Sequence, residues 1–167
     1  MNKNRITVSN TAGIAVMLLL IGGIGATSIL FSTALAQSAA LGEPFFVQKG
    51  AETIQREVGP NRTQYTFTAD GTINGNIEVT DTGQYISISK DNNRTFDQGH
   101  GLLRTKDGSE MANYTFIEVR NGTGFQGASV YNTNSTGKLS FLDNSVVIFK
   151  LGLDESGKYV GKQWLWK

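Results

Sequence analysis

Residues 65–79 read YTFTADGTINGNIEV. Tyr65, Phe67 and Ala69 fall on one side of an extended chain, with Thr66 and Thr68 opposite. Asp70-Gly71 has the composition of a turn, and Ile73, Gly75, Ile77 and Val79 then resume an apolar alternation. A period of two places one face on a core and the other in water, which is the pattern of a half-buried β-strand. Two such runs on either side of a short Gly-containing turn predict a β-hairpin.

The same pattern extends in both directions. Turn-type residues recur at Asp81-Thr82-Gly83, Asp91-Asn92-Asn93, Asp107-Gly108, Asn121-Gly122 and Ser156-Gly157. Between them the chain predicts strands over 52–58, 63–69, 72–80, 84–89, 95–105, 110–119, 124–131, 145–153 and 158–166. Ile86 and Ile88 share a face against Ser87 and Ser89, which predicts that the isoleucines meet the core. Gly137 to Asn144 breaks the pattern. Leu139, Phe141 and Leu142 there read as a short helical turn or a plug beneath the sheet. The two prolines, Pro44 and Pro60, lie outside the central strands, in keeping with a continuous sheet.

About eight short sequential strands make an antiparallel up-and-down β-barrel or, as the alternative, a β-sandwich. The barrel is favoured because the turns are short and no long crossover is present. Strand glycines at 75, 99, 101, 127, 152 and 161 suit the bends of a small barrel. The closing run Gln163-Trp164-Leu165-Trp166-Lys167 is then expected to pair with the first strand near Ile54 to Val58. Trp164 and Trp166 project to one face and Leu165 to the other.

The N-terminal 36 residues differ from all of this. Lys3 and Arg5 precede an uncharged stretch, Ala12 to Leu35, and Ala34-Leu35-Ala36 is a small-x-small site. These are the parts of a secretory signal peptide, with Gln37 opening the mature chain. The apolar run also exceeds the ~20 residues needed to cross a bilayer, so an uncleaved signal anchor is the rival reading. Both place the domain outside the cytoplasm, either secreted or held at the membrane by this segment. The division is thus 1–36 leader, 37–50 linker and 51–167 barrel domain. Removing Lys3 and Arg5 from the 15 basic residues leaves 13 against 14 acidic ones, so no surplus remains to neutralise phosphates and nucleic acid is not an expected partner. The absence of cysteine excludes disulfides, thiolate metal sites and a cysteine nucleophile.

The tail from Asn134-Ser135-Thr136-Gly137-Lys138-Leu139-Ser140-Phe141-Leu142-Asp143 to Trp164-Leu165-Trp166-Lys167 resembles an uncharacterised archaeal and bacterial family of small exported β-barrel proteins. The Gly-rich hairpins up to Gly127 look like the barrel of allene oxide cyclases and dirigent proteins. The resemblance implies a barrel that holds a small hydrophobic molecule, in some members with cyclisation or coupling chemistry. It carries no functional residue onto a position of this chain.

The residues themselves offer few chemical constellations. Tyr65, Phe67, Tyr85, Tyr114, Phe116 and Trp164 are candidates to line a cavity for a small apolar ligand, with Phe125 and Phe149 in similar positions. His100, the single histidine, is a possible polar site between Gly99 and Gly101. One histidine makes no multi-histidine metal site, and Asp91-Asn92-Asn93 lacks the spacing of a calcium loop, so neither metal nor cofactor is expected. Gly122-Thr123-Gly124 with Gly127 matches a dinucleotide fingerprint but lies between two strands, where it reads as a hairpin turn. Sequons at Asn61, Asn93, Asn113, Asn121 and Asn134 are glycosylation candidates and should lie on the surface. Two functions stay open: an exported barrel that binds a small apolar ligand or presents an interaction surface, and a cyclase- or isomerase-like enzyme using the barrel cavity.

Overall fold

The structure, a computed structural model, describes residues 41–90 and 93–166. The leader read over 1–36 lies outside them. The strands are β1 (Phe46–Gly59), β2 (Arg62–Ile73), β3 (Ile77–Lys90), β4 (Arg94–Thr105), β5 (Met111–Asn121), β6 (Gly124–Asn132), β7 (Val146–Leu153) and β8 (Tyr159–Leu165). Each pairs antiparallel with the next, and β1 pairs with β8, so the sheet closes into an up-and-down barrel. Closure removes the free edges that a disulfide-free sheet would otherwise expose.

Three expectations are corrected. First, Asp70-Gly71 and Asp81-Thr82-Gly83 are not turns: they lie within β2 and β3. The reversal between these strands is Asn74-Gly75-Asn76, where Asn74 and Gly75 both have positive φ, at 49° and 75°. A two-residue turn of this hand matches the twist of the flanking strands. Gly71 and Gly83 are needed for a different reason. A Cβ at Gly71 would strike the Phe46 ring, and one at Gly83 the Phe67 ring. Each glycine is a seat for an aromatic ring on the neighbouring strand.

Second, the first strand begins at Phe46, inside the stretch read as linker, and it is Phe46–Gly50 that pairs with Gln163–Tyr159. Residues 52–58 pair with β2 alone, through a bulge between Glu52 and Ile54, and are exposed. Third, β3 has the opposite phase from that expected at its end. Tyr85 and Ser87 are buried inward, while Ile86 and Ile88 are half-buried on the outer wall.

One end of the barrel is closed. Leu139, just before the 3₁₀ turn Ser140–Leu142, and Leu142, its last residue, are fully buried and pack with Phe46, Ile73, Leu103 and Val147. Glu110 holds this plug by accepting the backbone N–H groups of Lys138 (2.8 Å) and Leu139 (2.7 Å). Its two carboxylate oxygens thereby satisfy amides that no strand can pair. The interior beyond the plug is the space left for function.

Candidate functional site

Inward positions of a narrow barrel alternate large and small residues because opposite walls must interdigitate. Here the large ones are aromatic. Tyr114 and Tyr131 approach with ring centroids 4.8 Å apart, and Phe116 meets Phe149 edge-on at 6.2 Å. Glycines admit them: a Cβ at Gly101 would collide with the Tyr114 ring, and one at Gly127 with Phe149 and the Ile117 carbonyl.

Between the rings lies a cavity of about 60 Å³. Its apolar wall includes Phe67, Tyr85, Tyr114, Phe116, Phe125 and Phe149. Its polar lining is Gln48, Glu118, Ser129, Tyr159 and Gln163. At roughly 10–15 Å³ per water, this is room for about four to six waters or one compact molecule.

The polar groups have few partners. Gln48 Oε1 and Ser129 Oγ are buried without a hydrogen bond, as is Asp97 Oδ1. Asp97 is the direct cross-strand neighbour of Glu118, and both are buried. Burial first, and then the negative charge of Asp97, push the Glu118 carboxyl up to about 8. Deeper in the barrel Tyr114 donates to Asp81 at 2.8 Å, and burial raises Asp81 to about 7 although that bond opposes the shift. Tyr131 donates to Gln163 Oε1 at 3.0 Å. Toward the open end Tyr85 donates to Glu52.

Of the sequence candidates, Phe67, Tyr85, Tyr114 and Phe116 come together on the cavity wall, as do Phe125 and Phe149. Tyr65 stacks on Tyr85 at 5.1 Å but does not line the cavity. Trp164 is excluded from it altogether. In β8 Gln163 and Leu165 point inward, so Trp164 stands on the outer wall. It is buried there, its Nε1 donating to the Gly42 carbonyl at 2.9 Å.

His100 also lies on the outer wall and is exposed. It ends a polar ladder across four strands: Arg56 donates to Gln64 (2.8 Å), Gln64 to Gln84 (3.0 Å) and Gln84 Nε2 to His100 Nε2 (3.1 Å). It therefore takes no part in the cavity. Asn61, Asn93, Asn113, Asn121 and Asn134 are all exposed. Among the described residues no three acidic or histidine side chains are grouped to hold a metal ion.

Sequence reading missed Gln48, Glu118, Ser129, Tyr159 and Gln163. A signal for Glu118 exists: it occupies the same register as Ala112, Tyr114 and Phe116, an acid in an otherwise apolar face.

No family model matches the chain, and no curated relative does. Solved structures share its fold. A conserved protein of unknown function from Rhodopseudomonas palustris is 12% identical with a TM-score of 0.60, over 74% of this chain and 95% of that one. A protein of unknown function from Clostridium acetobutylicum is 11% identical at 0.58, over 75% and 98%. An enzyme from Penicillium herquei aligns at 0.47 and 19% identity, over 73% and 92%. The first two likenesses are likenesses of fold and leave the activity to the residues.

Proposed function

We propose that this chain is an extracytoplasmic barrel that binds one compact, largely apolar molecule between its aromatic walls. The observation that carries the reading is the cavity itself. It combines six aromatic rings with a small set of buried polar atoms that lack protein partners. Ligand sites are built this way, with apolar walls for affinity and few polar groups for orientation. The volume restricts the occupant to a small molecule and disfavours a lipid-sized one. The basic start, apolar run and Ala34-Leu35-Ala36 of the leader support export, with the domain either released or held at the membrane. The barrel layout also agrees with the resemblance to allene oxide cyclase and dirigent barrels, whose interiors hold apolar compounds.

The test is thermal melting with a panel of small neutral, cationic and anionic compounds of about four to eight heavy atoms. A ligand at 100 times its Kd stabilises the native state by ~2.7 kcal/mol. At least one class should raise the melting temperature, and Ser129→Leu, which extends into the cavity, should abolish the effect. If no class shifts the melt, the interior is a packed core and the binding reading is wrong.

One observation favours an enzymatic second reading. Glu118 lines the cavity and changes protonation near neutral pH, as a general acid or base requires. On that reading it would shuttle a proton during an isomerisation or cyclisation. Turnover that Glu118→Gln abolishes while ligand affinity survives would support it. A bound ligand recovered unchanged after prolonged incubation would argue against it.

A further inference from the structure

The barrel interior is unevenly charged. Glu52, Asp81, Asp97 and Glu118 occupy inward register positions, whereas Arg120 is the one basic residue in such a position among the described strands. Arg120 is turned away from the acids: its guanidinium lies 4.7 Å above the Phe125 ring, and its Nε donates to the Gly122 carbonyl at 3.3 Å. The Asp97–Glu118 pair therefore sits in an apolar enclosure without an ion-pair partner. A buried charge in that position is costly unless something compensates it.

A second observation is independent of the acids. Gln48 Oε1 lines the cavity, belongs to a side chain more than nine-tenths buried, and has no hydrogen-bond donor. The unpartnered Ser129 hydroxyl, also on the lining, can accept as well as donate. A donor with several hydrogens would satisfy both atoms, and an ammonium group supplies three. The walls agree with this. Phe67, Phe116, Phe149 and Tyr85 present aromatic rings, which attract a cation through their quadrupole.

We propose that the occupant of the barrel is a small primary amine, bound as its ammonium ion by Glu118 with Asp97 behind it and Gln48 alongside, its short apolar body against the aromatic walls. This rests on the reading of the barrel as a small-molecule binder and names the class of ligand. Burial first, then Asp97 on β4 and Glu52 on β1, keep the proton on Glu118, while Arg120 on β5 opposes them; the Tyr114 and Tyr159 phenols nearby are neutral. Arrival of an ammonium ion reverses the local field, so Glu118 gives up its proton to solvent as the ligand enters.

Isothermal titration calorimetry of the full-length chain at pH 7 with butylammonium, 1-butanol and butyrate tests the proposal. Butylammonium should bind at least 10-fold more tightly than 1-butanol, and butyrate should not bind. Titrations in buffers of different ionisation enthalpy should show release of up to one proton per amine. Glu118→Gln should erase the preference for the amine, so that butylammonium binds this variant no more tightly than 1-butanol does. Asp97→Asn is the second variant, with the same expected direction. If 1-butanol binds as tightly as butylammonium, the amine assignment is overturned while the small-molecule reading stands. If none of the three binds, and no compound of the melting panel does either, both fall together.

Discussion

Trp164 and Trp166 make a matched experiment at one end of the chain. They are the same residue type, two positions apart, Trp164 in β8 and Trp166 just past its last residue, yet Trp164 is 5% exposed and Trp166 is 65% exposed. The difference is the chain just before β1. It runs over Trp164, takes its Nε1 hydrogen on the Gly42 carbonyl, and joins β8 through the bond from Phe45 N to the Gln163 carbonyl. A buried indole removes ~150–250 Å² from water. At ~25 cal/mol per Å² that is ~4–6 kcal/mol, an upper figure because the unfolded chain also buries some area. Truncations of buried Trp to Ala cost ~3–5 kcal/mol, and the lower half of that range fits a site whose cover can partly follow the lost side chain.

In a domain of this size each kcal/mol moves the melting temperature by ~3–5 °C, so Trp164→Ala should lower it by ~10–20 °C. Trp166→Ala should stay within ~0.5 kcal/mol of the parent, or ~2 °C. Melts followed by circular dichroism, on both variants at one pH, read the contrast. If the two melt within ~3 °C of each other, the N-terminal cover over Trp164 contributes nothing and the account of barrel closure through β8 is wrong.

Two further outcomes follow from the interior. Glu118 and Asp81 both have folded-state values raised by burial, to about 8 and about 7, above their ordinary 4.5 and 3.8. A raised carboxyl favours folding most at low pH and loses that contribution as pH climbs to the folded value. Asp70, Asp107 and Asp154 are held low by hydrogen bonds and so titrate below this window. Stability should therefore fall between pH 5 and pH 8, by a few kcal/mol on the order-of-magnitude rule of ~1.4 kcal/mol per unit. Glu118→Gln should flatten the slope in urea titrations, and an unchanged slope would remove Glu118 as its source. Gly101→Ala should cost ~1–3 kcal/mol by overpacking, because its Cβ meets the Tyr114 ring; a neutral result in the same titration would mean the ring moves freely.

Much of the architecture was legible from alternation alone. Tyr65, Phe67, Ala69 and Ile73 keep one phase through β2, and that phase is the inward one. The misplaced turns show where such reading stops. Asp-Gly marks a hairpin when the glycine must take positive φ, but Gly71 lies in extended strand, with a ring on the adjacent strand in place of its missing side chain. The two uses of glycine have the same local composition and differ only in a neighbour distant in sequence. The polar half of the site was hidden for a related reason. Asp81 looks like a solvent-facing turn residue, and Asp97 lies in a predicted strand whose inward face its own sequence does not mark. Ile86 and Ile88 misled in the opposite direction, because the interior at that level takes Tyr85 and Ser87 and leaves the isoleucines on the outer wall. Trp164 follows the same logic: its cover comes from Gly42, 122 residues away in the chain.

The short seam between β1 and β8 has a consequence for how the barrel forms. Seven of its eight strand junctions join neighbours in sequence, whereas the eighth brings Phe46–Gly50 to Tyr159–Gln163 across the whole domain. Local hairpins close quickly at small entropic cost, and a junction of such long range closes only after the rest of the sheet has curled to present both ends. The last step of folding is then the meeting of the two termini, fastened by five residue pairs and the Trp164 indole. Run backwards, the same step is the first breach. Amides along this seam should exchange with solvent at a lower free energy than those of β3, β4 and β5, and the molecule should breathe as a sheet that uncurls from one line.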